Sequence, residues 1–214
     1  IFDMDGVIVD TAKYHFQAWS RIAAELGIEM IPEHEEFLKG LSRVDSLERI
    51  LQLGQIELDS QTKLDLMTKK NGWYLKLIEH MDQGEVLPGV EDFLRLLREE
   101  NIQIALGSSS KNAKKILKLI GLTSYFDAVV DGTMVTLHKP DPEVFLKGAS
   151  LLGVSPEKCV VFEDAISGLN AAEAGGFYTV GVGSPDALGN AEMVISGLHE
   201  MTLAKLHAIP SVRN

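Results

Sequence analysis

Two aspartates near the start of the chain, Asp3 and Asp5, are the residues whose spacing best suits chemistry. Alternate residues of an extended strand point the same way, so their carboxylates begin on one side of the backbone. One carboxylate can attack phosphorus and hold the group as an acyl phosphate, while the other moves the proton. The spacing predicts Asp3 as nucleophile and Asp5 as acid and base. The simpler alternative is a turn at Gly6 that the aspartates only cap.

A second acidic pair, Glu163 and Asp164, directly follows the apolar run 159–162. Adjacent acids are usually solvated loop residues, and that interpretation stays open. At a strand end facing Asp3, however, they would crowd like charges, and a divalent cation would relieve the crowding. Because the candidate ligands are all oxygen atoms, we expect Mg²⁺.

A lysine and a serine could bind the oxygens of a phosphate group. Lys139 lies in the run His-Lys-Pro-Asp-Pro, and Ser108 in the run Gly-Ser-Ser-Ser. The formal net charge is −11, so a bound phosphate needs local positive charge of the kind that Lys139 supplies. Taken alone, each has a simpler explanation, since lysines usually lie at the surface and serines often stand beside helix caps.

The residues from position 86 onward alternate between amphipathic helices and apolar strands. The pattern predicts helices at 88–100, 110–120, 142–152 and 166–174, and strands at 102–106, 126–130, 159–162 and 177–182. Continuous apolar strands between helices indicate a parallel sheet covered on both faces. Ligands of such sheets bind at the carboxyl ends of the strands, which is where the candidate residues stand.

The stretch 12–81 breaks this alternation, because it contains three helical patterns, at 12–26, 45–53 and 60–81, and no strand pattern. We therefore predict an α/β fold with a Rossmann-like parallel sheet core and an inserted all-helical cap. Residues 1–11 and 82–214 would form the core, and residues 12–81 the cap.

The composition restricts the partners and the compartment. The chain has 214 residues, 45 % of them hydrophobic, and no basic stripe, which disfavours nucleic acid and anionic membranes. No apolar run reaches the roughly 20 residues of a membrane span. The single cysteine, Cys159, permits no internal disulfide and fits a reducing compartment. We expect a cytoplasmic monomer that acts on a small molecule, and a sequence that begins inside its first strand.

The run Phe-Asp-Met-Asp-Gly-Val-Ile-Val-Asp-Thr at 2–11 resembles the first motif of the haloacid dehalogenase (HAD) superfamily. Ser108, Lys139 and the acidic pair 163–164 resemble its second, third and fourth motifs, in the same order and spacing. The resemblance covers essentially the whole chain, including a helical cap after the first motif.

This resemblance implies a Rossmann-like core and an aspartyl-phosphate intermediate on Asp3. It also implies Mg²⁺ held by Asp3, Asp164 and the backbone carbonyl of Asp5, and the acidic pair makes Glu163 a further predicted metal ligand. Dehalogenases and phosphonatases of the superfamily lack the second aspartate of this motif, so Asp5 argues against both activities.

Four further segments, 11–19, 38–43, 69–71 and 107–112, resemble the glucose-phosphate mutases of the superfamily. The likeness implies substrate or phosphate binding by a set of polar and aromatic side chains: His15, Trp19, Lys39, Gly40, Arg43, Lys70, Ser108, Ser110, Lys111, Asn112 and Lys139. The sequence departs from the pattern at Gly107 and Ser109, where alanines are more familiar, and at Ala165, where a serine often follows the acids.

Within that set, the likeness implies that Arg43 binds the phosphate that is not being transferred, and that Lys39 and Gly40 contact the sugar. It implies that His15 and Lys70 link closure of the cap to the acid/base residue. Simpler alternatives remain for the cap, since His15 could be a core histidine and the loop 39–43 a solvated face.

Three functions follow as hypotheses. The first is a mutase that interconverts β-D-glucose 1-phosphate and glucose 6-phosphate through a 1,6-bisphosphate. The second is a phosphatase of the same fold that acts on a sugar phosphate or phosphoglycolate. The third is a non-catalytic binding protein, against which the intact Asp3, Asp5, Lys139 and Asp164 argue.

Overall fold

A parallel sheet forms the centre of the protein, for which the computed structural model describes residues 1–38 and 41–209. Its strands are β1 (Ala105–Gly107), β2 (Ala128–Val130), β3 (Val160–Glu163), β4 (Tyr178–Val182) and β5 (Met193–Ile195). The opening segment, residues 1–3, lies between β1 and β3, because Phe2 bridges to Leu106 on one side and to Phe162 on the other. The order across the sheet is therefore β2, β1, residues 1–3, β3, β4 and β5.

Helices surround this sheet and also make up the segment inserted after its opening residues. Three helices follow the opening segment in the chain: α1 (Ala12–Glu25), α2 (Arg43–Gly54) and α3 (Ser60–Ile78). The others are α4 (Val90–Glu99), α5 (Ala113–Leu119), α6 (Glu143–Leu152), α7 (Ile166–Ala174), α8 (Pro185–Leu188) and α9 (Leu203–Ala208). Among the described residues, no helix is both long enough and apolar enough to cross a membrane.

The sheet is buried on both faces, because successive residues of its strands enter different clusters of apolar side chains. Phe2 and Phe162 belong to one cluster, where their rings stack with centroids 4.6 Å apart. Their chain neighbours Ile1 and Val161 belong to the other cluster, which includes Phe145 of α6. This two-sided burial confirms the predicted α/β fold with a parallel sheet.

The inserted segment has an apolar cluster of its own. Trp19 of α1 packs there with Leu47, Ile50 and Leu51 of α2. Two of its helices begin at capping side chains: the Ser42 hydroxyl accepts a hydrogen bond from the Asp45 backbone N–H at the start of α2, and the Asp59 carboxylate accepts backbone N–H groups at the start of α3. The described part of 12–81 is helical, as the sequence predicts, while the exact domain boundaries stay predictions.

Several elements are shorter than the sequence indicates. The strand predicted at 102–106 begins only at Ala105, because the Ile104 backbone N–H donates to the Asp127 carboxylate instead of a neighbouring strand. The helix predicted from Ser110 begins at Ala113, after a turn in which the Ser108 and Ser110 side chains accept the N–H groups of Ser110 and Asn112. Strand β5 and helices α8 and α9 follow the last predicted strand.

Candidate active site

A buried lysine joins two of the predicted carboxylates at the edge of the sheet. The ammonium group of Lys139 lies 2.6 Å from Asp3 Oδ1 and 2.5 Å from Glu163 Oε1. The other oxygen of Glu163 accepts the backbone N–H of Ala165 at 2.9 Å. Although burial opposes the charged form of the lysine, the two carboxylates raise the pKa of Lys139 above its usual value. Lys139 therefore stays charged and fixes the orientation of Asp3.

The acidic residues converge tightly enough to hold a metal ion. One carboxylate oxygen from each of Asp3, Glu163 and Asp164 lies within 4.8 Å of the others. Burial, followed by the charges of Glu163 and Asp3, raises the pKa of Asp164 to about 9. Both oxygens of Glu163 already accept protein hydrogen bonds, so Asp3 and Asp164 offer the freer ligand atoms. An all-oxygen donor set of this charge fits a hard divalent cation.

Asp5 lies outside that carboxylate group, and the hydroxyl of Thr11 donates a hydrogen bond to it. Burial, followed by the charge of Asp3, raises the pKa of Asp5 to about 8. A carboxyl group with such a pKa holds a proton near neutral pH and can release it to a leaving oxygen. This arrangement is consistent with the predicted roles of Asp3 as nucleophile and Asp5 as acid and base.

On the cap side, the ammonium group of Lys70 lies 2.7 Å from His15 Nδ1. It also lies 4.9 Å from the ring centre of Trp19 and 4.8 Å from that of Tyr74. Burial, followed by the nearby Arg43, lowers the pKa of Lys70 to about 7. Burial and the neighbouring Lys70 and Arg43 hold the pKa of His15 well below its usual value. The histidine is thus paired inside the cap wall, where its predicted role in closure stays a prediction.

An asparagine joins the cap to the core. The side-chain oxygen of Asn71, on α3, accepts hydrogen bonds from Arg43 at 2.8 Å and from Asn112 at 3.0 Å. Arg43 begins α2, whereas Asn112 lies in the loop that follows β1. The guanidinium group is therefore held where the two parts of the protein meet.

These residues surround a cavity of about 310 Å³ between the helical segment and the strand ends. Most of the predicted side chains lie on its wall: Asp3, Asp5, His15, Trp19, Arg43, Lys70, Ser110, Lys111, Asn112, Lys139 and Asp164. Glu163 stands behind them, and Ser108 is buried with its hydroxyl accepting the Ser110 N–H. The predicted Lys39 and Gly40 lie outside the described residues.

Among the polar residues of this site that sequence reasoning missed are Asn71, Glu35 and His138. Asn71 follows Lys70 directly, but nothing in its type or spacing distinguishes it from a solvated helix position. Glu35 falls in a stretch of 3₁₀ turns with no periodic pattern. His138 precedes Lys139, and that adjacency is the one signal that could have drawn attention to it.

Comparisons with known proteins place the chain in one family. The sequence model of the haloacid dehalogenase-like hydrolase family matches residues 1–176. The chain is 43 % identical to a β-phosphoglucomutase of Bacillus subtilis, over 97 % of this chain and 92 % of that protein. It is 36 % identical to a fructose-1-phosphate phosphatase of Escherichia coli, over 85 % and 94 %. The crystal structure of a Clostridium difficile β-phosphoglucomutase superposes with a TM-score of 0.93, at 36 % identity over 97 % of this chain and 94 % of that one.

The position of the Glu163 carboxylate depends on the absence of a side chain at Gly168 in α7. A β-carbon added at Gly168 would collide with the Glu163 carboxylate, whereas one added at Gly72 in α3 would meet nothing within 4 Å. We expect Gly168→Ala to lower turnover of p-nitrophenyl phosphate about 10–100-fold, because Glu163 must leave Lys139. Gly72→Ala, which makes the same change in an open helix position, should leave turnover unchanged. Equal turnover in both variants would show that Glu163 need not hold this position.

Proposed function

The chain belongs to the haloacid dehalogenase-like hydrolases, and on that premise we propose that it is a β-phosphoglucomutase. Its reaction would interconvert β-D-glucose 1-phosphate and glucose 6-phosphate. The observation that carries the proposal is the position of Arg43, on the cap side of a cavity whose core side holds Asp3. Such a cavity has a charged group at each end for the two phosphates of a bisphosphate.

The nucleophile would be Asp3. Lys139 donates a hydrogen bond to Oδ1 of its carboxylate, and one of the two carboxylate oxygens would attack phosphorus while the other would remain for the cation site. As the new O–P bond forms, the bond from phosphorus to the leaving sugar oxygen breaks, and Asp5 gives that oxygen its proton. In the second half of the cycle Asp5 takes the proton from the attacking sugar hydroxyl, and the phosphoryl group returns from Asp3 to the sugar. The raised pKa of Asp5 supports this role.

The carboxylates fit Mg²⁺, which Asp3 and Asp164 would hold together with the backbone carbonyl of Asp5. When bound, Mg²⁺ neutralises negative charge on the phosphoryl oxygens. The site has room for this positive charge, since several carboxylates crowd together here and, among the described residues, Lys139 is the lysine that contacts them.

A mutase must transfer its phosphoryl group to a sugar hydroxyl and not to water. Water is small and abundant, so discrimination requires that the site assemble only around the sugar. The contact of Asn71 with both Arg43 and Asn112 supports such an arrangement, because it ties the phosphate-binding end of the cap to the core. The bisphosphate would turn end for end between the two phosphate sites.

A second candidate is a sugar-phosphate phosphatase, which the similarity to the fructose-1-phosphate phosphatase favours. Both reactions would begin with the same attack by Asp3 and differ in whether sugar or water accepts the group. In either case we propose a cytoplasmic monomer with a small sugar phosphate as its partner, and neither nucleic acid nor a membrane, given the net charge of −11.

Removal of the metal tests the cation site. We expect a chelator to lower turnover of β-glucose 1-phosphate at least about hundredfold, Mg²⁺ to restore it, and Ca²⁺ to restore little because it accepts looser geometry. Asp164→Asn should weaken Mg²⁺ binding measured by calorimetry, whereas Asp186→Asn, an exposed carboxylate in α8, should not. Full turnover in the presence of chelator would contradict a metal role.

Replacement of Arg43 tests the mutase proposal. We expect Arg43→Ala to lower conversion of β-glucose 1-phosphate about 10–100-fold, because hydrogen bonds to a charged group at the distal phosphate are lost. Hydrolysis of acetyl phosphate, which has no distal phosphate, should change much less. Arg49→Ala is the matched control, since Arg49 lies on the same helix with its guanidinium over the exposed ring of Phe37.

Product analysis separates the two candidate functions. With β-glucose 1-phosphate and a trace of 1,6-bisphosphate, the wild-type protein should yield glucose 6-phosphate and little free phosphate. If free glucose and phosphate dominate, and Arg43→Ala lowers both reactions equally, the phosphatase becomes the better account.

A further inference from the structure

Almost every polar side chain on the cap wall of the cavity is already committed to another protein group. His15 and Lys70 pair with each other, and Arg43 donates to Asn71. The hydroxyls of Ser46 and Thr68 donate to backbone carbonyls, and that of Ser42 to Asp45. Glu35 is the exception, because its carboxylate has no hydrogen-bond or ion-pair partner among the residues that the structure describes.

The backbone on both sides of Glu35 is hydrogen-bonded in turns. Glu35 stands between two 3₁₀ turns, Pro32–His34 and Glu36–Leu38. Its N–H donates to the Pro32 carbonyl at 3.0 Å, and its own carbonyl accepts the Leu38 N–H at 3.0 Å. The side chain is half-buried and lines the same cavity as Arg43 and Asp3.

An uncommitted carboxylate selects the neutral part of a substrate. It accepts hydrogen bonds from hydroxyl groups, which are stronger to a charged acceptor than to a neutral one. It repels a second carboxylate that is brought close to it, because like charges repel each other. The phosphate-binding groups Arg43 and Lys139 already account for the anionic ends of the ligand.

We propose that Glu35 is a specificity-determining residue, which accepts hydrogen bonds from the hydroxyls of a polyhydroxylated substrate and disfavours substrates whose far end carries a carboxylate. The inference rests on the proposed function only in that the substrate is a sugar phosphate. It holds for a mutase and for a phosphatase alike, because it concerns the binding of the sugar and not the acceptor of the phosphoryl group.

Two ligands that differ at one carbon test the proposal. Sorbitol 6-phosphate ends in a hydroxymethyl group, and 6-phosphogluconate has a carboxylate in its place. The measured quantity is the inhibition constant of each ligand against hydrolysis of p-nitrophenyl phosphate, in the full chain with Mg²⁺. These constants are independent of whether water or sugar accepts the phosphoryl group, so a failure of the mutase proposal in the product assay leaves this test intact.

We expect wild-type protein to bind sorbitol 6-phosphate more tightly than 6-phosphogluconate. Glu35→Gln keeps the size of the side chain and removes its charge. It should reduce the ratio of the inhibition constant of 6-phosphogluconate to that of sorbitol 6-phosphate about tenfold. Glu35→Asp, which keeps the charge, should retain part of the wild-type ratio. The control is Glu33→Gln, an exposed acid in the preceding turn, which should leave the ratio within about twofold. An unchanged ratio in Glu35→Gln, or an equal shift in Glu33→Gln, would overturn the proposal.

Discussion

The crowding of carboxylates around one buried lysine is the constraint on which the site depends. Asp3, Glu163 and Asp164 approach within 4.8 Å, and Lys139 compensates the charges of the first two. Burial and mutual repulsion raise the pKa of Asp164, so the cluster is most stable when a further positive charge joins it. On the proposed function, a divalent cation would offset this crowding and would in turn attract a phosphate.

The fold brings these charges together at one edge of its sheet. The opening segment and β3 are neighbours in the sheet, so Asp3 and the acids that end β3 leave the apolar interior at the same edge. Glycines make room for the carboxylates, since a β-carbon at Gly6 would meet Asp164 and one at Gly168 would meet Glu163. Burial at this edge, followed by the charge of Asp3, raises the pKa of Asp5, which suits the proton transfer proposed for it.

The core half of the site could be predicted from the sequence because strand ends are recognisable. Asp3, Glu163 and Asp164 each follow an apolar run, and a parallel sheet must bring such ends together. The cap half could not, because the positions of Asn71 and Glu35 depend on how α3 and the 3₁₀ turns pack over the core. The helix α5 begins at Ala113, three residues after Ser110, and the serine side chains accept N–H groups in the turn that precedes it.

The central claim is that Asp3 carries the phosphoryl group, and a direct test is to locate that group. Protein incubated with acetyl phosphate and Mg²⁺ would be reduced with borohydride, which converts an acyl phosphate into an alcohol, and then digested for peptide mass spectrometry. The account predicts that residue 3 alone becomes homoserine. A stable phosphoryl group on Ser108 or His15, or continued turnover with residue 3 never modified, would contradict it.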